Sequence, residues 1–372
     1  MSARGLRLGP PPAGGADPQE RSARRSGHPR VIGYYVHHHG AGHLHRAAAL
    51  AAAVDDEVAG FSSLDAPAGW TGPWTVLPLD TDASPPEDAS ANGRLHWVPL
   101  GSVGLADRMA TIAQWIARER PSCFVIDVSV EVALLCRLLG VPVVVVAQPG
   151  ARTDPAHTLV YDIAAAVIAP WPPSVSPLRT AAELGERLHT VGAISRTPVR
   201  PPGIPRRDGS IVILQGRGGR GPSSVDRVSA KLREAGIGDP VPATGSEREI
   251  ADLLRSAQVV IAHCGQNAIA EIAAARTPAV LIAEDRPHGE QSAMARAIDA
   301  SDMPATVFPV DAGLDHDVDL GLDLDDLART IERARGLDGD LWSGWVDGEA
   351  AARAAAVIQR VAASSASGRH GR

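Results

Sequence analysis

Three glycine-bearing blocks hold the side chains that can do chemistry. The first is Gly40-Ala41-Gly42-His43-Leu44-His45-Arg46, separated from the apolar run Val31–Val36 by His37-His38-His39. Glycines at a strand-to-helix turn let backbone N–H groups approach a ligand closely, and a helix N-terminus adds partial positive charge that favours an anion. His43 at that helix start is placed to point into a cleft, where an imidazole takes a proton from a hydroxyl nucleophile or polarises a phosphate. The second block is Gln215-Gly216-Arg217-Gly218-Gly219-Arg220-Gly221. Its backbone suits phosphate, and Arg217 or Arg220 can neutralise a leaving diphosphate. It is no Walker loop, because no Gly-Lys-Ser/Thr follows, and it lacks an acidic residue placed for a dinucleotide fingerprint. The third block is Ala262-His263-Cys264-Gly265-Gln266-Asn267-Ala268-Ile269-Ala270-Glu271, followed by Pro278 and by Glu290-Gln291. That order implies a strand end, a tight loop, a helix start carrying a carboxylate, a second strand and a polar pair at the next helix. His263, Gly265, Gln266 and Asn267 would face a diphosphate, Glu271 would accept from ribose hydroxyls, and Glu290 and Gln291 would bind the hydroxyls of a sugar.

Other polar residues sit where strands end. Asp127 closes an apolar run and either orients His43, acts as a base itself, or caps the helix that follows. Glu131 lies four residues later on one helical face. Arg152, Asp154 and His157 follow the next strand and either hold an acceptor or form a local turn network. The dense set His37, His38, His39, His43 and His45 invites a metal reading, but His43 and His45 diverge on a helix and no Cys or carboxylate completes a ligand set nearby. No metal site is expected; His37 or His39 instead lines the cleft. Trp70, Trp74 and Trp97 can stack on a sugar or fill a core. The aspartate-rich stretch 311–326 has Leu320 where a calcium loop needs glycine, so it reads as a solvated acidic loop.

The elements that must position these residues alternate. In the first half, strands are expected over 31–36, 58–61, 75–79, 123–128, 141–147 and 164–168, with helices over 44–54, 105–118 and 130–139 and a long exposed loop over 80–104. In the second half the pattern is strand 211–214, helix 223–235, a helix to 255 opened by the Ser246/Glu249 capping-box pattern, strand 259–262, helix 266–275, strand 279–283 and helix 289–300. Strand–helix alternation implies parallel sheets with helices on both faces. The expected organisation is a disordered leader over 1–30, a first Rossmann-like domain over 31–197, a linker over 198–208, a second Rossmann-like domain over 209–340, a helical segment over 341–365 and a disordered tail over 366–372. The fold class is α/β, with two doubly wound domains facing a cleft.

Composition narrows the partners. A net charge of −7 without a basic stripe argues against nucleic acid. Lys231 is the only lysine, so arginine carries nearly all the positive charge. Three cysteines without CxxC spacing argue against a disulfide framework and for a reducing cytoplasm. Cys264 reads as a small residue in a tight turn or as a reactive thiol. No apolar run is long enough to span a bilayer and none has signal-peptide character, although peripheral membrane contact remains compatible with a lipid-linked acceptor.

His263-Cys264-Gly265, Glu271, Pro278 and Glu290-Gln291 resemble the donor-binding region of GT-B glycosyltransferases, the group that includes the UDP-GlcNAc transferase of lipid II synthesis. The Gly-x-Gly-His segment ending at His43 is similar to the same family, and the likeness covers residues 31–365. Two departures are Arg217 and Arg220, where the family usually carries Gly-Gly-Ser, and Arg276-Thr277 before Pro278. The resemblance implies ribose binding at Glu271 and donor-sugar contact at Glu290 and Gln291. The expected activity is metal-independent, inverting transfer from a nucleoside-diphosphate sugar, a UDP-sugar, to an unidentified hydroxyl acceptor, with no cofactor and with His43 or Asp127 as base. A nucleotide-sugar hydrolase of the same fold, with His43 activating water, and a non-catalytic nucleotide-sugar-binding protein are the alternatives.

Overall fold

The computed structural model describes residues 30–38, 41–82, 85–201, 205–207, 209–214, 224–234, 236, 238, 240–308 and 324–368. Residues 1–29, the Gln215–Gly221 block, His39, Gly40, the acidic stretch up to Asp323 and the last four residues lie outside them.

The first half builds a seven-stranded parallel sheet from β1 (Val31–Val36), β2 (Glu57–Ser62), β3 (Trp74–Val76), β4 (Cys123–Asp127), β5 (Val143–Val146), β6 (Ala166–Ala169) and β7 (Leu188–Thr190). Their order is β3-β2-β1-β4-β5-β6-β7. The strands are near-continuous apolar runs because both faces are covered, and successive residues enter different cores. Tyr35, Phe124, Ile126, Val143 and Val145 pack on one face with Ile112, Trp115 and Val132. Ile32, Tyr34, Val36, Val125 and Val144 pack on the other with Ala47 and Leu50. The covering helices are α1 (Ala41–Ala53), α2 (Val103–Glu119), α3 (Val130–Leu138), α4 (Pro155–Ile163) and the short α5 (Ala181–Leu184).

The second sheet contains β8 (Ile211–Leu214), β9 (Val241–Pro242), β10 (Val259–His263), β11 (Ala279–Ile282) and β12 (Ala305–Phe308) in the order β12-β11-β10-β8-β9. Its helices are α6 (Ser224–Glu234), α7 (Glu247–Ser256), α8 (Gln266–Ala275), α9 (Glu290–Asp299) and α10 (Leu324–Arg335). The capping box expected at Ser246 is present in both directions. The same alternation separates Val212, Val260 and Leu281, packed with α7 and α8, from Ile213, Ile261 and Val280, packed with Leu327 and Ile331 of α10.

Several elements depart from the sequence expectation. Residues 155–163 form α4, started by Pro155 and capped by the Asp154 carboxylate. Strands β7 and β9 are too short to produce a periodic signal, and the four-residue β12 was not expected either. The final helix α11 (Ala350–Gly368) does not extend the second sheet. It returns to the first, where Ala354, Val357, Ile358 and Ala362 join the core of Ile32, Tyr34 and Val125. Its alanine-rich face lets the helix lie close to the strands.

Both sheets therefore have a switch point where neighbouring strands send their connections to opposite faces, at β1/β4 and at β8/β10. Ligands of open α/β sheets bind outside the carboxyl ends of strands at such points. Val36 is in register with Asp127, and Ala262 with Leu214, so the first and third sequence blocks emerge at the two switch points.

Candidate active site

At the first switch point α1 starts just beyond β1. Its 3.6-residue period puts His43 and Arg46 on one face, one turn apart, above the end of β4. There Asp127, 0 % exposed, accepts from His43 Nδ1 at 2.9 Å, from Arg46 Nε at 2.8 Å and from Arg46 Nη2 at 2.6 Å. Burial opposes the Asp127 charge, but Arg46 and then His43 outweigh it and hold the carboxyl well below the usual carboxylate range. A proton on His43 Nδ1 would be held by the ionised Asp127, and in that tautomer the Nε2 lone pair is the basic position of the ring. Arg46 Nη2 lies 2.9 Å from the same Nδ1 and Arg46 is also buried, so the guanidinium neutralises the carboxylate locally. With these three contacts Asp127 is an orienting group sealed from the cleft.

At the second switch point β10 delivers His263, and Gly265 starts α8. No side chain caps this helix, so its first-turn N–H groups and its dipole point into the space before it. Gly265 N–H donates to His263 Nδ1 at 3.0 Å, which places the ring proton on Nε2. Burial, reinforced by Arg286 and opposed by Glu284, lowers the His263 pKa, so the ring stays a neutral donor. Glycine is required at 265 because a Cβ there would lie 2.4 Å from the His263 ring. Cys264 is buried, and burial pushes its thiol up to about 12; it fills the turn and is not a reactive thiol.

The two helix starts meet. A Cβ on Gly42 would fall 1.8 Å from Asn267 Nδ2, and Arg46 Nη1 donates to Gln266 Oε1 at 3.4 Å. Gly42, His43, Arg46, His263, Gly265, Gln266, Asn267 and Glu271 all line one cavity of about 1000 Å³. Glu271 accepts from Arg196 Nη2 at 2.7 Å. Glu290 accepts from Arg152 Nη2 at 3.1 Å across the cleft. Gln291 lines the cavity too, but its Oε1 accepts from Cys264 N at 3.1 Å and Glu284 N at 3.0 Å, tying two strand-end loops together. That oxygen is committed, so only the amide nitrogen can face a sugar.

The first-domain wall is mixed. Tyr35, Trp97, Leu105, Met109 and Val132 supply apolar surface, with His37 and His38 beside them. Buried Arg108 fixes this wall by donating to Tyr35 Oη at 2.9 Å and to Asp80 Oδ2 at 2.7 Å. Trp70 and Trp74 pack edge to face away from the cavity, with ring centroids 4.9 Å apart, whereas Trp97 lines it. Arg152 and His157 also line it; Asp154 caps α4 and sits among His96, His157 and His288. Burial, aided by Arg152, lowers the His157 pKa to about 4.

Gly42, His43, His263, Gly265, Gln266, Asn267, Glu271, Glu290, Gln291, Arg152 and His157 thus line one cleft, with Asp127 buried behind His43 and Asp154 beside His157. Gly216, Arg217, Gly218, Gly219 and His39 lie outside the described residues. The sequence reading assigned no role to Arg46, Arg196, Arg108, His96 or His288. The three-residue spacing of His43 and Arg46 was a usable signal; the others are remote in sequence from what they touch.

Comparison with known proteins agrees with this architecture. Residues 213–303 match the Glycosyltransferase family 28 C-terminal domain. A comparison with curated protein sequences gives no match. Among solved structures, the chain is similar to Acinetobacter baumannii MurG at 13 % identity and a TM-score of 0.55, covering 89 % of this chain and 99 % of that one. It is similar to a UDP-glucosyltransferase from Polygonum tinctorium at 14 % identity and a TM-score of 0.62, over 91 % and 99 %. It is similar to the spinosyn rhamnosyltransferase SpnG, solved with thymidine diphosphate, at 17 % identity and a TM-score of 0.60, over 89 % and 99 %. The chain has the GT-B fold. Among the described residues no helix is long and apolar enough to cross a membrane.

Proposed function

We propose that the chain is a glycosyltransferase that moves a sugar from a nucleoside-diphosphate sugar to an acceptor hydroxyl with inversion. The observation that carries this reading is the pairing across one cavity of a buttressed imidazole, His43 on Asp127, with the uncapped N-terminus of α8 beside His263. The acceptor O–H gives its proton to His43 Nε2 while its oxygen bonds to the anomeric carbon. The bond from that carbon to the diphosphate oxygen breaks, and the electron pair leaves with the nucleoside diphosphate. First-turn amides of α8 and the His263 Nε2–H stabilise the developing charge. No step calls on a metal ion.

Glu271, held by Arg196, is the ribose acceptor, and Leu214, Ala243 and Ile250 supply an apolar wall for the base. Glu290 and the Gln291 amide nitrogen face the sugar. The pyrimidine nucleotides named for two similar structures support a pyrimidine donor, with a UDP-sugar first to test. The apolar wall of Tyr35, Trp97, Leu105 and Met109 supports an acceptor with an apolar body, reached in the cytoplasm or at a membrane surface.

The test is calorimetric titration with UDP and dTDP, followed by nucleotide release from a panel of donor sugars with and without acceptors. Acceptor-dependent release is expected. Equal release without acceptor makes the enzyme a nucleotide-sugar hydrolase in which His43 activates water. Nucleotide binding without turnover makes it a binding protein, and no binding removes the proposal.

A further inference from the structure

A second constellation sits at the mouth of the cleft. His96 comes from the loop between β3 and α2. Asp154 and His157 come from the cap and first turn of α4, and His288 from the loop between β11 and α9. One potential ligand atom from each lies within 4.8 Å of all the others. Among the described residues no other set of His, Cys, Asp and Glu side chains comes together in this way. The Asp154 carboxylate is the hub, with Oδ1 3.0 Å from His96 Nε2, and Oδ2 2.6 Å from His157 Nδ1 and 3.7 Å from His288 Nδ1.

We infer that His96, Asp154, His157 and His288 form a zinc site that clasps the two domains together. Three imidazole nitrogens and one carboxylate oxygen are a borderline-soft set suited to Zn²⁺, and four protein ligands make a closed structural site. Donors about 2.0–2.1 Å from a tetrahedral ion stand about 3.3 Å apart. The observed separations bracket that spacing, so small side-chain rotations suffice. On metal binding His157 and His288 offer Nδ1 and His96 offers Nε2. The protons that His96 Nε2 and His157 Nδ1 share with Asp154 move, through solvent, to the other ring nitrogens, Arg152 turning away from His157 Nε2, and Asp154 stays a carboxylate.

The surroundings are built to hold the ligands. Glu131 Oε1 accepts the N–H groups of His96 at 2.8 Å and Trp97 at 3.1 Å, fixing the loop that carries His96. Asp154 Oδ1 accepts His157 N at 3.1 Å. His288 has φ 62°, a left-handed conformation that a side chain adopts at a cost, and its carbonyl is held by Ala151 N at 2.8 Å. Arg152, 3.4 Å from His157 Nε2, is the cation beside the cluster, and Glu290 balances it. His96 is exposed, which gives an ion an entry path. Three ligands belong to the first domain and one to the second, so an ion here adds a coordinate bond across the cleft.

The test uses the full chain without a histidine tag, stripped with a chelator and desalted. Returning one equivalent of Zn²⁺ should leave about one zinc per chain after a second desalting and should raise Tm. His96→Ala and His288→Ala should each weaken Zn²⁺ binding by about 100-fold or more, since even outer-shell changes cost 10–100-fold. His189→Ala, on the outer strand β7, should bind as the parent does. If an alanine variant fails to fold, Co²⁺ titration of the parent decides: the intense visible bands of four-coordinate cobalt, displaced by one equivalent of zinc, are expected. Zinc binding that is unchanged in both variants, or a parent that retains no zinc and gives only the weak octahedral cobalt spectrum, overturns the inference.

Discussion

Replacing Asp127 by asparagine keeps the shape of the side chain and removes its charge. In the native protein the two carboxylate oxygens take two bonds from Arg46 and one from His43, at full burial. An asparagine presents one oxygen and one NH₂ group, so in either orientation one donor of Arg46 or His43 meets another donor. Arg46, only 4 % exposed, is left without its counter-charge. Removing one partner of a buried ion pair costs about 3–5 kcal/mol, a large share of the roughly 5–15 kcal/mol that holds a typical domain. Turnover should fall further than stability implies. An NH₂ group facing His43 Nδ1 moves the ring proton to Nε2, and an imidazole in that tautomer cannot accept a proton from the acceptor; a fall of about 10³–10⁴ in kcat is expected. The assays are urea unfolding and nucleotide release at saturating donor, run at a temperature where the variant is folded. Adding Arg46→Met to Asp127→Asn separates the contributions. The double variant should recover stability relative to the sum of the single changes, because the buried charge has gone, while kcat stays low. Additive stabilities within about 0.5 kcal/mol, or an Asp127→Asn enzyme with parental kcat, would refute the assignment of Asp127 as buried brace for both His43 and Arg46.

Three other outcomes are expected. His43→Gln should lower kcat by about 10²–10⁴ with UDP affinity by calorimetry little changed, since the role proposed for the residue is on the acceptor proton; a parental rate would move the base elsewhere. Gly150→Ala should cost at least about 1–3 kcal/mol in urea unfolding, because φ there is 106° and the new Cβ would sit 2.5 Å from the His288 carbonyl oxygen; a neutral substitution would mean that these loops are not in contact. His263 has a depressed folded pKa, so the unfolded chain binds the proton more readily. Its stabilising contribution is complete above the ordinary value of about 6.5 and is lost as pH falls below it. His263→Asn, whose side-chain oxygen can still accept from Gly265 N–H, should therefore lose less Tm than the parent between pH 7 and pH 5.

Much of the fold was legible because a buried parallel strand has to be apolar along its whole length. The runs at Val31–Val36, Cys123–Asp127 and Val259–His263 announce themselves, and the helices between them carry their own caps and periods. Helix α4 was missed although Asp154 and Pro155 are a good start signal, because its nine residues follow a loop dense in polar groups. The destination of α11 was not legible. An alanine-rich helix fits against either sheet, and only the shape of the groove over Ile32 and Val125 selects one.

Sequence alone determined which residues stand at strand ends and helix starts, because those positions follow from local patterning: His43, Asp127, His263 and Gly265; Glu271, expected at a helix start, is the sixth residue of α8. Tertiary structure alone decided what each of them touches. Arg46 became the partner of Asp127, Arg196 of Glu271 and Arg152 of Glu290, and His96 and His288 came to share Asp154. Such pairings join residues tens to hundreds of positions apart. Local preference carries no record of them, since some are set by how helices pack over one sheet, as Arg46 on Asp127, and others by how the two halves meet, as Arg152 on Glu290.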